Sequence, residues 1–175
     1  MNIDDEYQNL PLIKVVGISA SGKSTLVGAL RRHGYRARPV SQEHSDVPSL
    51  WQQFEEPAIL IHLDIALEAQ QKRRPDVSWD QRALREEKAR LAEAQGHANL
   101  KINTSDQTPE SVLKIALTFL EQERVHHADH PLPPIRATGS MLPQEEIKEE
   151  TEETEESAQE PKRSKKRKRH RPRKP

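Results

Sequence analysis

The chain has 175 residues, 28 Lys or Arg against 28 Asp or Glu, no cysteine and mean hydropathy of −0.94. That length holds one domain, and the missing cysteine excludes disulfides and thiolate metal sites. No apolar run reaches the length of a membrane span, and the acidic start "MNIDDEYQNLP" lacks the apolar stretch of a secretory leader, so a reducing, cytoplasmic setting is expected.

The balanced charge is unevenly placed. Residues 145–160 hold nine Glu and one Lys, whereas residues 161–175 hold ten Lys or Arg and no acid. The first 144 residues are left at −2. All six aromatic residues precede position 120. The expected organisation is a folded domain over residues 10–123, a Pro-rich linker over 124–144 and a disordered tail over 145–175, acidic and then basic. Such a tail buries too little apolar surface to offset its ordering entropy. Its basic end suits sequence-independent binding of a polyanion such as RNA or DNA, since no aromatic there can stack on a base.

Taken in chain order, "LIKVV" (Leu12–Val16) reads as a buried strand, broken only by Lys14. "GISASGKST" (Gly17–Thr25) follows. Leu26, Val27 and Leu30 then repeat at helical spacing up to Gly34, placed for a C-terminal cap. "YRARPV" (Tyr35–Val40) is a second strand that Pro39 ends or exposes. "DVPSLWQQF" (Asp46–Phe54) reads as a short helix with Leu50, Trp51 and Phe54 on one face. "AILIHLD" (Ala58–Asp64) is a strand, and a helix from Ile65 into Arg73 follows it. After a break at "RRPDVSW", a charged helix spans Asp80 to Gln95 with Leu84, Leu91 and Ala94 as its apolar stripe, ended by Gly96. "NLKIN" (Asn99–Asn103) is the last strand. Thr108 caps a final helix, with Pro109 in its first turn and Val112, Ile115, Ala116 and Phe119 facing inward. Alternating strands and helices predict a parallel sheet with helices on both sides and a ligand beyond the carboxyl ends of the strands.

The spacing G-x-x-x-x-G-K-[ST] is filled by Gly17, Gly22, Lys23 and Ser24. Chance supplies such a match in under ~1% of chains this long, and here it lies between a strand and a helix, as the motif requires. Glycines let successive N–H groups turn toward one anion, and the helix start adds partial positive charge. Lys23 suits the outer phosphates, and Ser24 offers a hydroxyl to Mg²⁺. The stretch resembles the Walker A loop of the P-loop NTPases. Two more segments, "ILIHLDIALEAQQKRR" and "NLKINTSDQTPESVLKIALTFL", are similar to the Leu-Asp strand, lid arginines and Pro-capped closing helix of the small P-loop kinases, the adenylate, shikimate, gluconate and nucleoside kinase group. No D-x-x-G, N-K-x-D or L-S-G-G-Q string points to a GTPase or a transporter ATPase.

That resemblance implies an α/β fold: a three-layer P-loop kinase-like sandwich with a small parallel sheet of four to five strands. It implies ATP and Mg²⁺ as ligands and phosphoryl transfer to a small-molecule or nucleoside-type acceptor. Gly17, Ser19, Ala20, Ser21, Gly22, Lys23, Ser24 and Thr25 would bind the nucleotide. Ser24, Glu43 and Asp64 are the candidate metal ligands, and Lys23, Glu43, Arg73 and Arg74 the candidate catalytic groups. Only fourteen residues join Glu43 to Ala58, where these kinases usually carry another strand, so the strand ending near Glu43 is expected beside the loop strand. The alternatives are bland: a solvated loop carboxylate at Glu43, a structural Asp64, exposed arginines, and Trp51 and Phe54 as core. A catalytically weak ATP-binding switch, tethered to nucleic acid by the basic tail, is the second functional reading. Phosphorylation of a polynucleotide end is a third, for which the pocket is small.

Overall fold

A computed structural model of the chain describes residues 7–135. The expectations for the tail, residues 145–175, and for the linker beyond residue 135 lie outside them. Ten described elements begin with β1 (Ile13–Gly17), α1 (Lys23–Arg32) and β2 (Ala37–Pro39), followed by one-turn 3₁₀ helices at Gln42–His44 and Leu50–Gln52. Then come β3 (Ile59–Asp64), α2 (Leu67–Arg73), α3 (Gln81–His97), β4 (Leu100–Asn103) and α4 (Pro109–Gln122). The four strands form one parallel sheet in the order β2-β1-β3-β4. No described helix is long and apolar enough to cross a membrane.

The period-two alternation of the strands divides the core. Ile13 and Val15 of β1, with Ile59, Ile61 and Leu63 of β3, meet Leu26, Val27 and Leu30 of α1 and Val112, Ala116 and Leu120 of α4. Val16 and Leu60 point the other way, toward Trp51 and Leu84, Leu91 and Ala94 of α3. Strands buried on both faces account for the near-continuous aliphatic runs. Pro39, which has no N–H to donate, lies at the end of the edge strand β2.

Several elements depart from the sequence expectation. Asp46–Phe54 is not a helix: only Leu50–Gln52 makes a turn, Trp51 is buried, and Phe54 is fully exposed with a positive φ of 68°. The reason lies in β1. The buried Lys14 ammonium donates to the carbonyls of Trp51, Gln53 and Glu55 at 2.8, 2.9 and 2.5 Å. Carbonyls at alternate positions converging on one cation cannot also point along a helix axis. Burial pushes the Lys14 ammonium below its ordinary pKa, against the pull of Glu55. Gly96 lies inside α3 and does not end it. In α4 the buried stripe is Val112, Ala116 and Leu120, while Ile115 is exposed.

Packing continues past Glu123. Ala128 N–H donates to the Gly34 carbonyl at 3.0 Å and Leu132 N–H to the Arg31 carbonyl at 2.8 Å. Arg31, itself buried, returns a bond from Nε to the Pro133 carbonyl at 2.6 Å. Residues 128–133 therefore form a strap over the end of α1, with Leu132 as its buried anchor.

Two predictions follow from this packing. Leu132→Ala should lower unfolding free energy by about 2 kcal/mol, the lower end for a buried leucine because a strap can collapse into the gap; chemical denaturation measures it. The second concerns His62, which is buried in β3 with Nδ1 lacking a partner. Burial holds its pKa below 6.5, opposed by Asp64 and assisted by Lys101, Lys88 and Lys23. The unfolded chain therefore takes up this proton before the folded one. Stability should fall as pH drops below 6.5, by at most about 1.4 kcal/mol per pH unit from this group. Urea midpoints across pH 5 to 7 (roughly the histidine range) should show a flatter profile for His62→Leu.

Candidate phosphate-loop site

The site is built where β1 ends. A Cβ on Gly17 would lie 2.4 Å from the Leu63 carbonyl oxygen and 2.8 Å from Ser21 Oγ, so the backbone passes β3 at a distance only glycine allows. The chain then turns through Ile18, whose N–H donates to the Leu63 carbonyl at 3.2 Å, and Ser21, whose N–H donates to the Ile18 carbonyl at 3.1 Å. Gly22, with φ of 99°, is the residue from which α1 starts. Its left-handed backbone is one that a side chain would strain. No acidic side chain lies in the first turn of α1, so the partial positive charge of that helix end is not offset from within.

Lys23 folds back along the loop. Its Nζ donates to the Gly17 carbonyl at 2.8 Å and lies 3.3 Å from the Ile18 carbonyl. It is also 2.5 Å from Glu43 Oε1. Glu43 comes from the 3₁₀ turn after β2, is buried, and has a second carboxylate oxygen without a hydrogen-bond partner. Because β2 pairs directly with β1, the turn that follows β2 brings this carboxylate to the loop lysine.

The other sequence candidates fall into two groups. Arg73, at the end of α2, donates to the Ala20 carbonyl and to Thr104 Oγ1, each at 3.1 Å, and to the Thr104 carbonyl. It ties the loop to the turn after β4. Thr104 Oγ1 also lies 3.1 Å from the Ser21 carbonyl. Arg74 lines the same cleft but holds Asp76 through two bonds. Asp64 closes β3 with Oδ1 accepting from Ile65 N–H at 2.9 Å and paired with Lys88 at 3.4 Å. The residue after Glu43, His44, is exposed, 3.7 Å from that carboxylate. Trp51 is core, its ring 5.3 Å from that of His97, and Phe54 stands in solvent.

Two residues that bond to the loop escape the sequence reading. Glu87 of α3, itself buried, accepts from Ser19 N–H at 2.9 Å and Ser19 Oγ at 2.7 Å. Gln70 of α2, fully buried, donates to the Ser19 carbonyl at 3.1 Å. The signal for Glu87 was present: it occupies the stripe of Leu84, Leu91 and Ala94, where an apolar residue is expected.

A cleft of about 490 Å³ opens beside the loop, lined by residues 20–26, Arg73, Arg74, Thr104, Gln107, Pro109 and Val112. Its lining combines loop backbone and the cationic side chains of Lys23, Arg73 and Arg74 with apolar carbon from Pro109 and Val112. Neither the known protein-family models nor the curated proteins include a match to this chain.

Gly17→Ala tests the close approach on which the loop depends. The new methyl must displace Leu63 or Ser21, so unfolding free energy should fall by about 2 kcal/mol, as for an overpacked core. Denaturation of the purified variant reports that loss.

Proposed function

We propose that this chain is a P-loop kinase-like protein that binds ATP with Mg²⁺ in this cleft and transfers its terminal phosphoryl group to a small-molecule or nucleoside-type acceptor. The observation that carries the reading is the meeting of the Lys23 ammonium and the buried Glu43 carboxylate beside a glycine turn that opens onto a helix start. A parallel sheet with helices on both faces is compatible with the three-layer arrangement of that group.

In this reading the loop amides from Ser21 to Thr25 donate to the phosphate oxygens, and Lys23 moves its charge from Glu43 toward the outer ones. Arg73 is placed to stabilise charge on the group in transfer. Glu43, released from Lys23, serves either the metal or an acceptor hydroxyl, whose proton it takes in the second case. The residues also fit a divalent cation. Glu43 Oε2 is a buried acceptor without a donor, and the Ser24 hydroxyl borders the cleft. Those two would hold Mg²⁺ together with nucleotide oxygens, and the ion would neutralise phosphate charge. Asp64, bonded to Ile65 N–H and paired with Lys88, is the weaker ligand.

A second reading, an ATP-dependent switch of low turnover, is favoured by the bonds that Glu87 of α3 and Gln70 of α2 make to Ser19, which tie the loop to two helices.

Two substitutions separate the roles. Lys23→Ala should weaken both nucleotide binding and turnover. Glu43→Gln should leave ATP affinity within about threefold and lower phosphoryl transfer by about 10²–10⁴, the range for a lost general base. Calorimetric titration and ADP release against a panel of nucleosides, sugars and RNA measure the two quantities. Tight ATP binding without turnover on any acceptor would overturn the kinase in favour of the switch.

A further inference from the structure

We propose that Gln107 is the residue with which the cleft selects adenine over guanine. The proposal rests on the nucleotide reading above and adds to it what reads the base.

Two helix starts border the cleft, and they are not equivalent. α1 opens without a side-chain cap and without an acid in its first turn, so its first N–H groups remain for an anion. α4 opens on Pro109, which has no N–H to give. Its Ser111 N–H is held by Thr108 Oγ1 at 3.2 Å, and Glu110 offsets the positive end. A phosphate chain therefore goes to α1. What remains of the ligand lies against the rest of the lining, to which the α4 side contributes Gln107, Pro109 and Val112.

Pro109 and Val112 offer a base apolar contact only. Arg73 is bonded to Ala20 and Thr104, and Arg74 to Asp76. The Gln107 carboxamide differs from these. Its Oε1 accepts from the Ser111 hydroxyl at 2.5 Å, one helical turn further on. That bond leaves a second lone pair on Oε1 and the Nε2 hydrogens unbonded among the described residues. Gln107 is exposed, so a ligand can reach them.

The hydrogen-bonding groups of the two purines decide between them. Adenine presents a donor, N6–H, beside an acceptor, N7 or N1, and one carboxamide answers both. Guanine presents the acceptor O6 with the donors N1–H and N2–H, and the two donors call for the paired oxygens of a carboxylate. Among the described residues the lining holds no Asp or Glu. A single carboxamide thus leaves a guanine donor unpaired, a cost that adenine avoids. The bond from Ser111 favours one orientation of the carboxamide, so its donor and acceptor do not trade places to suit either base.

The test measures binding of non-hydrolysable ATP and GTP analogues, and of inorganic tripolyphosphate, to the full chain with Mg²⁺ present. The wild type should bind the ATP analogue about tenfold more tightly than the GTP analogue. Gln107→Leu keeps the bulk and removes both bonds. It should bring the two analogues within about threefold of each other and leave tripolyphosphate binding unchanged to the same margin. Gln107→Glu, which has two acceptors and no donor, should turn the preference toward guanine, a reversal that a merely structural role would not produce. Both variants should fold, because Gln107 is exposed and its N–H bond to the Thr104 carbonyl needs no side chain. Ser111→Ala should narrow the ratio by less than Gln107→Leu does. Equal affinity for the two analogues in the wild type, tighter binding of the GTP analogue, or a ratio unmoved by Gln107→Leu overturns the role of Gln107 while leaving the phosphate site standing. If neither analogue nor tripolyphosphate binds the wild type, the nucleotide reading itself falls and this proposal with it.

Discussion

The approach of Gly17 to Leu63 is the constraint on which the rest of the site hangs. With a side chain there, β1 and β3 could not lie close enough for the chain to leave the sheet between them. Because they do, the loop begins at the carboxyl ends of two central strands, and the turn after β2 brings Glu43 to the same edge. Parallel order matters here more than sheet size. Four strands running one way send four connections to one side, and three of them touch the loop or its lysine: Glu43 after β2, Gln70 and Arg73 on the helix after β3, and Thr104 after β4.

The loop is held by a polar shell that is itself buried. Gln42, Glu43, Gln70, Glu87 and Thr104 are all nearly inaccessible. Burying such groups is costly unless each finds a partner. Most do: Gln42 accepts from Trp51 N–H and donates to the Val47 carbonyl, and Thr104 holds two segments. The exceptions near the loop, Ser21 Oγ, Glu43 Oε2 and Gln70 Oε1, are where the described residues leave bonding capacity unused. An apolar shell would be more stable but could not respond to a charge. This one is arranged so that moving a single ammonium or carboxylate changes the partners of several residues.

How much of this was legible in the chain depends on the range of each interaction. The strand-loop-helix unit was readable because its signals are local: an aliphatic run, glycines at fixed offsets and helical spacing after them. The pairing of β2 with β1 followed from the short link after Glu43. Thr108 caps α4, its side chain accepting from Ser111 N–H as its neighbours suggested. What failed was set by distant partners. The apolar residues Leu50, Trp51 and Phe54 have helical spacing, yet the Lys14 ammonium some forty positions earlier decides the backbone there. Ser19 and Glu87 are sixty-eight positions apart, and no local pattern links them. The buried Leu132 lies in a Pro-rich stretch whose composition suggests a linker.

The strap over α1 has a consequence for the order of events during folding. Arg31 and Pro133 are 102 positions apart and share a bond from a buried guanidinium. Contacts so remote in sequence form late, because the loop entropy must be met before they can contribute. On a ribosome, α1 and the glycine loop before it emerge early, yet the end of that helix stays uncovered until the strap has followed. Maturation of the loop's own helix is thus tied to completion of the last segment of the described chain.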